Sequence, residues 1–227
     1  DDDSTAVAAA PVHREFTCLN DEYSECRTGQ YTMALSRKVI SNHFGRNKAC
    51  TRTITSWPLF CRKHYQRATY RPDQWQKRKI FLIERQLNII EREFPGTKYE
   101  IALKKSEADR LNEFTRLHSN GMPKLDALAL FPVPEKSKAF HAPMAVLDEL
   151  SYYIGKNRSV FEVKTCVSLI LDFLRKGDCK EVPAIEFLPH FPQNGGGKGK
   201  GKGKAAADKT GSGPRTSPKG AVKKPGK

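Results

Sequence analysis

Cys61-Arg62-Lys63-His64 sets a thiol and an imidazole three residues apart. On a helical turn both can reach one metal ion, because residues three apart share a face. Cys50 lies eleven positions before Cys61, with Trp57-Pro58 between them. That length and composition suit a short hairpin or loop that returns the chain to the same ion. Cys26 is the preferred fourth ligand; Cys18 stays open as its rival, and His43 as a lesser one. Cys26, Cys50, Cys61 and His64 would give three thiolates and one imidazole, the closed tetrahedral set that structural zinc prefers. Hard-oxygen metals are disfavoured by such donors. Cys166 sits among apolar residues and reads as core, and Cys179 as a surface or semi-buried thiol.

Little in the chain suggests catalysis. It contains no phosphate-binding glycine loop, no nucleophile elbow, no H-E-x-x-H and no deaminase signature. Cys61 and His64 make a poor nucleophile and base pair, with no third group to orient the imidazole. The four-ligand set also has no evident open position for water. A non-enzymatic protein is expected.

The candidate ligands lie in a strongly basic stretch. Residues 27–92 hold 15 Lys and Arg against Asp73, Glu84 and Glu91. Arg37, Lys38, Arg46, Lys48, Arg52, Arg62, Lys63 and Arg67 fall within or beside the proposed zinc loop, and Arg71 and Lys77-Arg78-Lys79 extend the charge. A rigid zinc knot presenting arginines is a common way to place a chain on phosphates. Asn42, Arg46 and Asn47 are candidates for reading base edges. Phe44, Trp57, Phe60, Tyr65, Tyr70 and Trp75 are interleaved, and their expected role is packing around the metal. The whole chain has a net charge of +15, which points to polyanionic partners.

The same residues carry a family resemblance. Cys50, Cys61 and His64 match the C-x10-C-x2-H half of the plant WRC-type zinc domain, whose full pattern is C-x9-C-x10-C-x2-H. The first spacing departs, since 23 residues separate Cys26 from Cys50. The resemblance covers about 45 residues and implies zinc and DNA binding in nuclear regulators. The stretches GRNKAC and FCRKHYQRATY also look like an uncharacterised family of fungal proteins.

Around the ligands the expected fold is mainly α with minor β. A flexible acidic N-terminus (1–14) precedes a small irregular zinc-binding module (15–70), a helical domain (71–192) and a tail (193–227). The tail alternates Lys and Gly, then becomes rich in Ala, Pro and Lys, and is expected to be disordered. Thr32 to Phe44 reads as a helix ended by Gly45. Ile80, Ile83, Leu87, Ile90 and Phe94 line one face of a long helix from Pro72, stopped at Pro95-Gly96. Tyr99, Ile101 and Leu103 alternate as in a strand. Ser106-Glu-Ala-Asp109 resembles a capping box, and Ser159-Val-Phe-Glu162 is a full one. A further helix is expected at about Pro143 to Ile154. The segment VPAIEFLPHFP is too rich in proline for a central strand.

No apolar run approaches the ~20 residues of a membrane helix, and Asp1-Asp2-Asp3 has the wrong sign for a signal peptide. An intracellular setting follows, with metal or free thiols favoured over disulfides. The leading expectation is a zinc-stabilised nucleic-acid-binding protein, DNA favoured over RNA, acting in the nucleus in transcription or chromatin. The alternatives are a scaffold with purely structural zinc, whose helices at 143–176 would meet a protein partner, and a basic protein associated with RNA or the ribosome.

Overall fold

The computed structural model describes residues 13–20, 25–134 and 140–192. About half of these are helical, and a smaller share is sheet. The expected tail and most of the acidic N-terminus lie outside the described residues. Residues up to Gln193 belong to one compact unit, so the segments 15–70 and 71–192 share their packing.

The longest element is α2, Pro72–Glu93. Proline at its first position forgoes a donor that no helix turn would use. Ile80, Ile83, Leu87 and Ile90 are buried along one face, as their spacing predicts. The helix stops at Phe94, and Gly96 then takes a left-handed φ of 78°. This face packs on α6, Val160–Lys176, which buries Val163, Cys166, Val167, Ile170, Phe173 and Leu174. The α6 start is the expected capping box: Glu162 N–H donates to Ser159 Oγ, and the Glu162 carboxylate accepts from Ser159 N–H.

A three-stranded antiparallel sheet covers part of this pair, in the order β4-β3-β5. The strands are β3, Lys98–Leu103, β4, Gly155–Arg158, and β5, Ile185–His190. Tyr99 and Ile101 of β3 are fully buried. Pro189 stands opposite Tyr99 in β5, and β5 is an edge strand, the place where a missing N–H costs least. Helices α3, Lys105–Ser119, α4, Lys124–Ala129, and α5, Met144–Ser151, complete this half. Ser106 does not cap α3. Lys104 takes the N-cap position, and no side chain accepts there.

The segment expected as a helix from Thr32 to Phe44 is not one. It forms a 3-10 turn at Met33–Leu35, strand β1 at Ser36–Lys38 and a second 3-10 turn at Ser41–His43. Ile40 adopts a left-handed φ of 58°, a conformation that interrupts any helix and is costly for a β-branched residue. β1 pairs antiparallel with β2, Leu59–Cys61, and joins Ser36 to Cys61, Arg37 to Phe60 and Lys38 to Leu59. Gly45 has a φ of 68°, and a Cβ there would lie 2.6 Å from Leu188 Cδ2. Only glycine suits that approach.

His43 ties this segment to the sheet. Its Nδ1 lies 2.9 Å from the Ile185 carbonyl oxygen. Complete burial pushes the imidazole down to about 4, and Lys79 and Lys104 add to the effect. Between pH 6.5 and 4 the unfolded chain takes up a proton that the folded chain refuses, so stability falls as pH falls. The loss reaches about 3 kcal/mol at the lower end. Urea unfolding of the His43→Gln variant at several pH values is expected to show a shallower slope in this window. An unchanged slope would exclude His43 as its source.

Candidate metal centre

Three segments converge on one point. The chain from Phe16 to Leu19 lies beside β2, where Leu19 N–H donates to the Leu59 carbonyl at 2.8 Å. Arg78 of α2 fastens the same stretch by donating from Nη2 to the Leu19 carbonyl at 3.0 Å. Cys18 is thereby set against Cys61, the last residue of β2. Tyr31 Oη donates to the Cys26 carbonyl at 2.9 Å and holds the second segment. The third is α1, Arg62–Thr69, which begins immediately after Cys61 and carries His64. Gln30 Oε1 accepts from Lys63 N–H at 2.8 Å, satisfying one of the donors that a helix start leaves open.

The result is a cluster of Cys18, Cys26, Cys61 and His64, whose ligand atoms all lie within 4.8 Å of one another. Cys18 Sγ is 3.4 Å from His64 Nδ1, and Cys26 Sγ is 3.9 Å from Cys61 Sγ. The sulfurs are also well provided with donors. Cys61 N–H points at Cys18 Sγ (3.2 Å), His64 N–H at Cys61 Sγ (3.4 Å), and the Thr28 hydroxyl at Cys61 Sγ (3.3 Å). Donors of this kind favour sulfur in its anionic, metal-binding form. All three cysteines are buried and free of disulfide. The cluster fits a metal ion: four donors of ligating type converge from three separate segments.

Without an ion the thiols are unequal. Burial pushes Cys18 up to about 11, with Cys61 and Cys26 adding to the rise. Burial also acts against ionisation of Cys26, but the Thr28 hydroxyl and backbone N–H and the neighbouring thiols outweigh it, and its pKa falls. A metal entering the cluster must displace the Cys18 proton, so affinity weakens in acid.

Cys26, Cys61 and His64 are thus brought together as expected, and Cys18 joins them. Cys50 does not. It lies on a 3-10 turn, Ala49–Thr51, that packs on β5. Burial raises its pKa there, Lys48 opposes the rise, and Glu186 and Glu100 add to it. The set expected with Cys50 is therefore corrected to Cys18, Cys26, Cys61 and His64. The physical reason is topological: β2 pairs with β1 on one side and receives the Cys18 segment on the other, so the turn bearing Cys50 is directed to the sheet instead. The C-x10-C-x2-H spacing contributes only its last two members.

The basic residues divide into two groups. Arg62, Lys63 and Arg67 are exposed on α1. Lys38, Arg46, Lys48 and Arg52 line a cleft of about 400 Å³ together with Asn47. Burial and the Arg46 charge both lower the Lys38 pKa, and its Nζ sits 4.2 Å from the Trp57 ring centre. Lys48 pairs with Glu186 at 2.7 Å, whereas Lys38, Arg46 and Arg52 have no ion pair among the described residues. Arg37 belongs to neither group, and its Nη1 donates to the Ser36 carbonyl at 2.7 Å. Most of the aromatics are packed, Phe44 against Trp57 at 5.7 Å and Phe60 against Trp75 at 5.8 Å, and Phe44 also meets Phe187 of β5. Tyr70 is the exception, at 81% exposure.

No family model, curated protein or solved structure matches the chain.

Proposed function

We propose that the chain is a zinc-stabilised nucleic-acid-binding protein, non-enzymatic, with DNA as its favoured partner and the nucleus as its place of action. The metal part rests on the donor set. Zinc bound at ~2.3 Å to sulfur and ~2.0 Å to imidazole nitrogen requires tetrahedral ligand edges of about 3.5–3.8 Å. The Cys18–His64 and Cys26–Cys61 separations of 3.4 and 3.9 Å lie close to those edges. The ion would tie the Cys18, Cys26 and α1 segments into one knot and hold the surrounding cations in place.

One observation carries the partner class: three cations of the cleft, Lys38, Arg46 and Arg52, stand together without an acidic partner among the described residues. Like charges held close destabilise a fold, and a phosphate backbone relieves that repulsion while releasing its own counterions. Arg46 and Asn47 at the same cleft also suit base edges, since Arg pairs with guanine and Asn with adenine.

Salt-dependent binding to duplex DNA tests this reading. The Arg46→Ala/Arg52→Ala double variant is expected to bind more weakly and to lower the slope of log K against log salt by about 2. Full-length protein that binds without a salt slope, or a double variant that binds as before, would remove the cleft from any role in nucleic-acid binding.

A further inference from the structure

A second pocket, of about 550 Å³, lies between α1 and the start of α2. Its size falls within the ~300–1,000 Å³ common for small-molecule sites. Its walls combine three guanidiniums, Arg67, Arg71 and Arg78, with the rings of Phe60, Tyr70 and Trp75, and among the described residues no carboxylate lines it. Arg78 is committed to the Leu19 carbonyl. Arg67 and Arg71 are exposed and have no ion pair among the described residues. Two of the rings are also committed: Phe60 is buried, and Trp75 is held by Phe60, by Tyr65 at 6.3 Å and by Lys79 at 5.7 Å. The Tyr70 ring is 81% exposed at the rim and has no packing role.

Unpaired guanidiniums bind phosphate through paired N–H groups. An exposed ring beside them supplies a stacking surface for a base. In a duplex both faces of every base are already stacked, so only an unstacked base can use such a ring. We infer that this pocket holds one unstacked nucleotide of a single-stranded nucleic acid, its base against Tyr70 and its phosphate at Arg67 and Arg71. The inference rests on the nucleic-acid reading above and adds to it a preference for single strands. His64 also lines this pocket, so the residue that closes the metal cluster forms part of the nucleotide wall. Chelation of the metal is therefore expected to weaken single-strand binding as well.

The test is fluorescence anisotropy with the full-length chain, using a labelled single-stranded oligodeoxynucleotide and the duplex of the same sequence. In Tyr70→Ala/Arg71→Ala, affinity for the single strand is expected to fall about tenfold or more, while duplex affinity changes less than about threefold. Tyr70→Phe keeps the ring and is expected to keep single-strand affinity. Both positions are exposed, and unchanged metal content and circular dichroism verify folding. Equal losses on the two probes, no loss on either, or a Tyr70→Phe loss as large as that of the double variant would overturn the pocket while leaving the Arg46/Arg52 cleft standing. Failure of the unaltered chain to bind either probe would overturn the nucleic-acid reading itself, and the pocket with it.

Discussion

Replacement of Cys61 by serine will lower zinc affinity by orders of magnitude and destabilise the chain by several kcal/mol. Structural zinc contributes ~10–16 kcal/mol of apparent folding free energy in small zinc-dependent peptides, and each ligand carries a substantial share. Cys61 is central: it ends β2, caps α1 through its sulfur and neighbours Cys26. Cys18→Ser should act alike, since its sulfur accepts the Cys61 N–H and lies beside His64 Nδ1. Cys50→Ser should change neither zinc content nor stability by more than the ~0.5 kcal/mol typical of partly exposed positions. Metal analysis and urea unfolding of the three variants read the outcome. A Cys50→Ser protein that loses zinc, or a Cys18→Ser protein that keeps full affinity, would return the site to the ligand set expected from spacing alone.

The second large effect lies at a buried ion pair on α3. Glu107 of α3 is completely buried. Its carboxylate meets Arg110 Nη1 at 2.7 Å, accepts the Ala142 N–H at 3.2 Å and lies 3.4 Å from His141 Nδ1. Arg110 Nη1 also donates to the Ala142 carbonyl at 2.9 Å. The group thus binds α3 to the segment leading into α5. Removing one partner of a buried pair strands the other, at a cost of ~3–5 kcal/mol. Arg110→Ala is expected to lose about that much stability in urea unfolding. Replacing both partners together, as Glu107→Gln/Arg110→Met, should cost less than Arg110→Ala alone, because no unpaired charge remains. A loss below about 1 kcal/mol for Arg110→Ala would show that solvent or His141 compensates the carboxylate.

What the amino-acid sequence reveals here depends on the range of the interaction. The Pro72 helix and the Ser159 capping box are legible because every signal involved is local. Their buried residues recur at helical spacing, and their ends carry proline, glycine or a paired Ser and Glu. The Thr32–Phe44 stretch misleads because Met33, Leu35, Val39, Ile40 and Phe44 imitate that spacing. Met33 is in fact about half exposed, and the pairing of Ser36 with Cys61 draws the segment into a strand. No local signal in 32–44 encodes that partner.

The candidate metal site divides in the same way. Cys61 and His64 are found from spacing because they lie within one helical turn. Cys26 is found from its basic neighbourhood, but Cys18, weighed only as its rival, joins the cluster beside it, and Cys50 stays outside. The contacts that decide between them are Leu19 N–H to Leu59 O and Arg78 to Leu19 O, which join residues 40 and 59 positions apart. A spacing rule counts along the chain, whereas the cluster is assembled across it. The basic residues show a related limit. Their number is plain in the sequence, whereas their division into a cleft at Lys38, Arg46, Lys48 and Arg52 and an arginine pocket around Tyr70 appears only once β1, β2 and α1 are folded together.

X-ray absorption at the zinc edge, on full-length protein purified without added metal, tests the metal centre most directly. One zinc per chain with three sulfurs at ~2.3 Å and one nitrogen at ~2.0–2.1 Å is the expected result. A chain that carries no zinc, or a shell with fewer than three sulfurs, would contradict a closed site built from Cys18, Cys26, Cys61 and His64.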